Sequence, residues 1–240
     1  QEPLLVFTSA NCSGEPMISD NAEALQKLAG VADLVVSHDR VIHNACDDSV
    51  LCATGAHPVL LRRGRGHAPA ALRLGRRFPE ALALGAHLKN TVCALRGDAA
   101  VFSRHVGDLE TPGTRALLRR SVDDLLAQLR VVPRAVACDL HPDFASTRLA
   151  EAFAGDRDLP LIRVQHHHAH IAATLAAEGV DAPAVGIALD GHGLGTDGCA
   201  WGGELLRVDG AGFERLGHLV PLVLPGGDSA VREPWRIAAA

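Results

Sequence analysis

From residue 81 onward the apolar residues change period in a fixed order, and that order leaves few folds open. "ALALGAH", "TVCALRG" and "AAVFS" read as three short strands joined by tight turns. "TPGTRALLRRSVDDLLAQLR" then has helical spacing, capped by Thr111 and with Pro112 in its first turn, where the missing N–H costs nothing. Strand "AVACDL", helix "FASTRLAEAFAG", strand "LPLIRV", helix "HHHAHIAATLAAEG" and strand "AVGIALD" follow.

A βββαβαβα order with a further strand behind it is what one half of an actin-like or ribonuclease-H-like ATPase fold would have. On that reading, residues from about 184 open a second, related lobe. The first part of the chain is mixed α/β as well. Residues 3 to 7 read as a short buried strand, Ser19 as the cap of a helix over "DNAEALQKLAG" closed by Gly30, and "DLVVS", "SVLCA" and "PVLL" as strands. Residues 62 to 80 are rich in Arg, Gly and Pro with little periodicity, their first half assigned to a site and the rest to a linker. A domain boundary is therefore expected near residue 76, giving domains 1–75 and 76–240. The chain opens on Gln1, directly before an apolar run, and closes on "WRIAAA"; both ends read as cuts through a longer protein.

A net charge of -5 gives no global attraction to nucleic acid, and no apolar run reaches the roughly 20 residues of a membrane span. The six cysteines are scattered with no Cys-x-x-Cys pair, which suits reduced thiols in the cytoplasm.

Four of the 13 histidines fall within "VQHHHAH". On a helix His166 and His170 lie four apart on one face, as two ligands of one metal should, while His167 and His168 point elsewhere. The zinc-protease pattern requires Glu after the first ligand; here that position is His167, so peptide hydrolysis is rejected. The bland alternative is that the histidines decorate a helix start. "GIALDGHGLGTDGCAWGGE" ends a buried strand on Asp190 and enters a loop with Gly191, Gly193, Gly195, Asp197 and Gly198, able to supply a hard oxygen ligand and backbone N–H groups for a phosphate; a plain hairpin turn is the competing reading. Lys89 and Asn90 sit in a turn that can face a nucleotide's phosphates or merely solvent. Asp139 and His141 follow a strand end, where open α/β sheets place ligand contacts. In "FTSANCSGEP", Ser9 and Asn11 offer hydroxyl and amide groups after a strand, and "LLRRGRG" brings Arg62 and Arg63, although turn chemistry also explains most of the first stretch.

Taken in order, "FTSANCSGEP", "CDDSVL", "LLRRGRGHAP", "LGAHLKNT", "HVGDLE", "CDLHPDFAST", "VQHHHAHIAA", "LDGHGLGTDGCAWGGE" and "LPGGDSAVREPWR" resemble the HypF carbamoyltransferases of hydrogenase maturation, over essentially the whole chain. The resemblance implies the end of a YrdC-like domain over residues 1–75 and the first part of a Kae-like, actin-fold domain over 76–240. Acylphosphatase and zinc-finger regions would precede both. It implies an ATP-dependent enzyme, with Mg2+ accompanying the ATP, that converts carbamoyl phosphate into carbamoyl adenylate. The carbamoyl group then passes to the C-terminal cysteine thiolate of HypE, on the way to a cyanide ligand of the hydrogenase iron. Ser9 and Asn11 fall on the family's S-x-N, which contacts nucleotide and substrate; Arg62 falls on its late arginine, and Ser49 is a further contact. Cys12 stands where leucine is expected, and the lysine/arginine half of that site lies upstream. His166 and His170 match the metal-binding His-x-x-x-His, Asp190 a third ligand or substrate contact, and the loop from Gly191 to Gly198 the adenylate's phosphate side. A fourth ligand would lie beyond Ala240. Two imidazoles and a carboxylate suit iron or zinc.

Other readings are a carbamoyltransferase acting on a small molecule or tRNA, an inactive nucleotide-binding fragment, and an actin-like ATPase or sugar kinase. Net acidity argues against tRNA, and a histidine cluster is unexpected in a kinase.

Overall fold

The computed structural model describes residues 4–55 and 58–240. The chain packs as two compact units: residues up to Cys138 together with Phe144–Leu161, and Asp139–Asp143 together with Ile162–Ala240.

The first unit opens irregularly. Leu4 to Phe7 form no strand, and Leu4 and Val6 are 101% and 96% exposed, because no described segment pairs with this run; Pro3, also assigned to that strand, lies outside the described residues. Helix α1 (Asn21–Lys27) is shorter than expected and is capped by Asp20, whose side chain accepts from the Glu23 amide, rather than by Ser19. "DLVVS" is likewise not a strand, and Val36 is exposed. "SVLCA" and "PVLL" do contain strands, β1 (Val50–Cys52) and β2 (Val59–Arg62), which form an antiparallel pair.

The main departure from the sequence pattern follows. The Arg-rich stretch expected to be a linker makes up most of a 13-residue strand, β3 (Ala71–Ala83), which runs without a break across residues 75 and 76. Its partner β4 (Cys93–Phe102) merges "TVCALRG" and "AAVFS" into one strand, so three short strands become one long hairpin. The hairpin bends where the register shifts between Arg73 and Phe78; Gly75 there has φ 71° and Gly97 opposite has φ 64°, a left-handed geometry that a residue with a Cβ resists. The bend hides the periodicity, since alternation is lost at each bulge.

Strand β5 (Val136–Asp139) adds parallel to β3, giving the order β4-β3-β5. Helix α2 (Pro112–Leu129) begins with Thr111 and Thr114 capping each other and buries Leu118, Val122 and Leu125 along one stripe. With α3 (Ala145–Gly155) it covers a core of Leu82, Leu84, Val92, Val136, Ala150 and Phe153.

Strand β6 (Leu161–Val164), which lies in the second unit from Ile162 onward, leads into α4 (His166–Ala177). Strands β7 (Ala184–Leu194), β8 (Ala200–Asp209) and β9 (Gly212–His218) form an antiparallel sheet in that order. Ile171 of α4 packs with Ala188, Trp201, Leu206 and Val208. Helices α5 (Asp228–Arg232) and α6 (Trp235–Ala238) are short. Strand β7 departs from expectation twice. It continues through the glycines to Leu194 instead of stopping at Asp190, and Val185, Ile187 and Leu189 on one face are exposed, so it is half-buried.

Candidate metal centre

The centre is assembled at the junction of β6 and α4. Gln165 caps the helix: its Oε1 accepts from the His168 amide at 2.9 Å, and its Nε2 lies 3.0 Å from His167 Nδ1 and donates to the Leu194 carbonyl at 3.1 Å. These bonds fix the first helical turn. The helical period then separates the four histidines into two pairs. His167 and His168 turn inward, 0% and 7% exposed, where burial lowers the pKa of both. His166 and His170 turn outward on the same face.

His166 Nε2 and His170 Nε2 are 3.2 Å apart, and Asp190 Oδ2 lies 3.0 Å from the first and 3.5 Å from the second. Behind them Asp139, at the end of β5, places Oδ2 2.6 Å from His166 Nδ1 while its Oδ1 accepts from the His141 amide at 2.8 Å. A carboxylate accepts only, so a neutral His166 carries its one proton on Nδ1, facing Asp139, and presents its Nε2 lone pair to His170 and Asp190. That hydrogen bond is also the largest influence raising the His166 pKa, against the opposing effect of burial.

The donor set fits a metal. Lone-pair atoms of His166, His170 and Asp190 all lie within 4.8 Å of one another, and three such atoms facing inward repel unless a cation or proton sits among them. Two imidazoles and one carboxylate leave positions open on a divalent ion, an arrangement suited to iron or zinc. Gly193 completes the cradle: a Cβ there would meet His167 Cε1 at 2.7 Å and His166 Cβ at 2.9 Å, so only glycine lets β7 approach the histidine helix.

The other sequence-predicted residues are placed as follows. Gly191 continues β7, its amide bonded to Asp190 Oδ1 at 2.7 Å. Gly195 and Gly198 form the tight turn between β7 and β8, closed by the Gly198 amide on the Gly195 carbonyl at 3.0 Å. Asp197 is engaged within this turn, accepting from the Cys199 amide and Trp201 Nε1, both at 3.0 Å. His141 follows Asp139 and its Nδ1 accepts from the Asp143 amide at 3.2 Å.

In the first unit, Ser9 Oγ donates to Asn11 Oδ1 at 2.6 Å, and Asn11 Nδ2 donates to the carbonyls of Cys12 and Glu15. Ser49 Oγ ties together the Gly64 amide and the Arg65 carbonyl, and Arg62 Nε donates to the Asp48 carbonyl. Lys89 has φ 49°, with its amide on Asp108 Oδ1 at 2.7 Å. Asn90 is buried, and its Nδ2 clamps the carbonyls of Leu84 and Ala86 at 2.7 and 2.6 Å.

Sequence reasoning missed the roles of Gln165, of Asp139 as partner to His166, and of Glu204. Glu204 is 2% exposed and takes a two-point salt bridge from Arg215, Nε to Oε2 at 2.6 Å and Nη2 to Oε1 at 3.0 Å, with Arg215 lying over the Trp201 ring at 4.1 Å. The available signal was parity, since Glu204 shares a strand face with the apolar Leu206 and Val208.

Comparison with known proteins gives the family. Residues 76–177 match the family model described as "HypF Kae1-like domain", and residues 186–240 that described as "Carbamoyltransferase, Kae1-like Domain, second subdomain". Residues 1–64 match the Sua5/YciO/YrdC model, described as "Telomere recombination". Carbamoyltransferase HypF2 of Cupriavidus necator is 55% identical over 100% of this chain and 30% of its own length. The chain belongs to the HypF carbamoyltransferase family. HypF of Rhizobium leguminosarum bv. viciae is 47% identical over 98% of the chain and 31% of its own length, so the chain spans under a third of these two relatives. A crystal structure of full-length HypF in a phosphate- and nucleotide-bound form superposes with a TM-score of 0.89 at 40% identity, covering 95% of this chain and 36% of that one. The mixed α/β fold, a YrdC-like region followed by Kae1-like subdomains, is therefore that of HypF.

Proposed function

We propose that this chain carries parts of two successive sites of an ATP-dependent carbamoyltransferase: a YrdC-like adenylation site up to about residue 75, and a Kae-like transfer site from about residue 76 onward. The substrates are carbamoyl phosphate and ATP with Mg2+, and the acceptor is the C-terminal cysteine of HypE, in the cytoplasm. Among the described residues no helix is long and apolar enough to cross a membrane.

The observation that carries this reading is the His166, His170 and Asp190 cluster with Asp139 behind it. Hydrolysis of carbamoyl phosphate releases phosphate and carbamate, and a carbamate oxygen attacks the α-phosphorus of ATP and displaces pyrophosphate; the resulting adenylate has the leaving group that carbamate lacks, so the HypE thiolate attacks its carbamoyl carbon and AMP departs. A divalent iron or zinc ion, when bound, polarises the phosphate or carbonyl oxygen. His166, His170 and Asp190 hold it, and Asp139 holds the Nδ1 proton that keeps His166 in the binding tautomer. The loop from Gly191 through Gly193, Gly195 and Asp197 to Gly198 lines the adenylate's phosphate side, with Asp139 and His141 as further polar contacts. Ser9, Asn11, Ser49 and Arg62 serve the earlier adenylation step. The acceptor brings the nucleophile, so none is needed on this chain.

The test is metal content and carbamoyl transfer to HypE, measured on the complete protein and its His166→Ala and His170→Ala variants. Loss of metal and transfer together, with carbamoyl phosphate hydrolysis retained, is expected. Full transfer in both variants refutes the assignment.

A further inference from the structure

The motif "HVGDLE" has no role in either site above, yet the structure pins the loop that carries it on both sides. Ser103 Oγ accepts from the Val92 amide at 3.0 Å, and Arg104 Nη1 donates to the Ala45 carbonyl at 3.1 Å. The Val106 amide donates to the Asn90 carbonyl at 2.8 Å and the Leu109 amide to the His87 carbonyl at 3.0 Å. Asp108 holds the Lys89 amide. Between these anchors His105 is half-buried, and its imidazole makes no hydrogen bond among the described residues.

His105 faces a cavity of about 390 Å³ that belongs to neither sequence segment alone: Asn11, His43, Asp47 and Arg62 line it from the first 65 residues, His105 and Arg120 from the later ones. Its charges are mixed. Of the other carboxylates on its wall, Asp108 is committed to the Lys89 amide and Asp124 lies 3.8 Å from Arg104, while Glu15 remains. A lining that combines arginines, carboxylates and a neutral imidazole suits a small ligand with an anionic end and an amide end better than a polyanion.

We propose that His105 is a substrate-contact residue that completes the site begun by Asn11 and Arg62, hydrogen-bonding the carbamate formed from carbamoyl phosphate as it is adenylated. This rests on the adenylation reading above. Burial first, and then the nearby Arg62, lower the His105 pKa, so the ring is neutral at pH 7 with one donor and one acceptor nitrogen. A carbamoyl group presents a C=O acceptor and an NH2 donor, and either can meet it. The pinned loop holds the ring in place, so little ordering is required on binding.

The experiment is carbamoyl phosphate-dependent exchange of pyrophosphate into ATP by the complete protein, comparing the parent, His105→Ala, His105→Phe and Asn11→Ala. The expected result is a KM for carbamoyl phosphate raised about tenfold in His105→Ala, the loss of one substrate hydrogen bond, with metal content unchanged. His105→Phe keeps the ring's bulk without its nitrogens and carries the same expectation if the alanine variant does not fold. A parent-like KM in a folded His105 variant, with exchange lost in Asn11→Ala, overturns the role of His105 and leaves the adenylation site standing. Parent-like exchange in all three overturns both.

Discussion

Replacing Asp139 with Asn tests the centre without touching a ligand. In the parent, Asp139 Oδ1 accepts from the His141 amide at 2.8 Å and Oδ2 lies 2.6 Å from His166 Nδ1. Asparagine has one acceptor and one donor arm. If its oxygen keeps the His141 amide, its NH2 points at His166 Nδ1, which must then give up its proton and accept. The imidazole switches tautomer, a hydrogen moves onto Nε2, and the lone pair aimed at Asp190 and His170 is lost. Flipping the amide restores the tautomer but sets NH2 against the His141 N–H. Partners of this kind are worth about 10- to 100-fold in metal affinity, or about 1.4 to 2.8 kcal/mol. The assay is competition for Zn(II) against a chromogenic chelator at pH 7.5 with the complete protein. Asp139→Asn should bind at least tenfold more weakly while its melting temperature stays close to the parent's. An affinity within twofold of the parent refutes the tautomer reasoning.

Gly193→Ala pushes a methyl into His166 and His167 and should weaken metal binding along with a loss of about 1 to 3 kcal/mol in stability, read by chelator competition and urea unfolding. Glu204→Ala strands Arg215 and should cost about 2 to 4 kcal/mol, followed by fluorescence of the buried Trp201 beneath it. Burial pushes the Glu204 carboxyl up, but Arg215 and the Gly202 amide override it and hold its pKa below the ordinary 4.5. The pair's contribution should therefore be complete above about pH 4.5 and vanish as pH falls through the lower folded-state value, so the parent and Glu204→Ala curves converge in acid. Burial raises the Cys93 thiol to about 12, so iodoacetamide at pH 8 should label exposed Cys12 and Cys199 and spare Cys93, which peptide mapping would show.

Legibility in the sequence followed locality. Helix α2, with its Thr111 cap and apolar stripe, and strands β5 and β6 carry their signals within a few residues, and they form where the pattern placed them. The spacing of His166 and His170 likewise needed only the helical period. The hairpin of β3 and β4 was not legible, because its register shifts at the bulges near Gly75 and Gly97 break the alternation on which strand reading depends. The run at Leu4 to Phe7 failed for the opposite reason: it has a strand's composition, but a strand exists only where another segment takes up its hydrogen bonds.

The sequence by itself determined which residues were chemically able to act: two imidazoles four apart, a carboxylate twenty residues beyond the second, and short polar runs such as Ser9 to Asn11 and Asp139 to His141. Which of them act together was decided by tertiary structure. Asp139, read as a substrate contact, became the partner of His166 because the end of β5 comes within 2.6 Å of the first turn of α4, and His105 drew notice only once its loop met residues 11 to 62 around one cavity. A side chain's identity is a local property, whereas its protonation and its neighbours depend on distances that close only when segments far apart in the chain are packed.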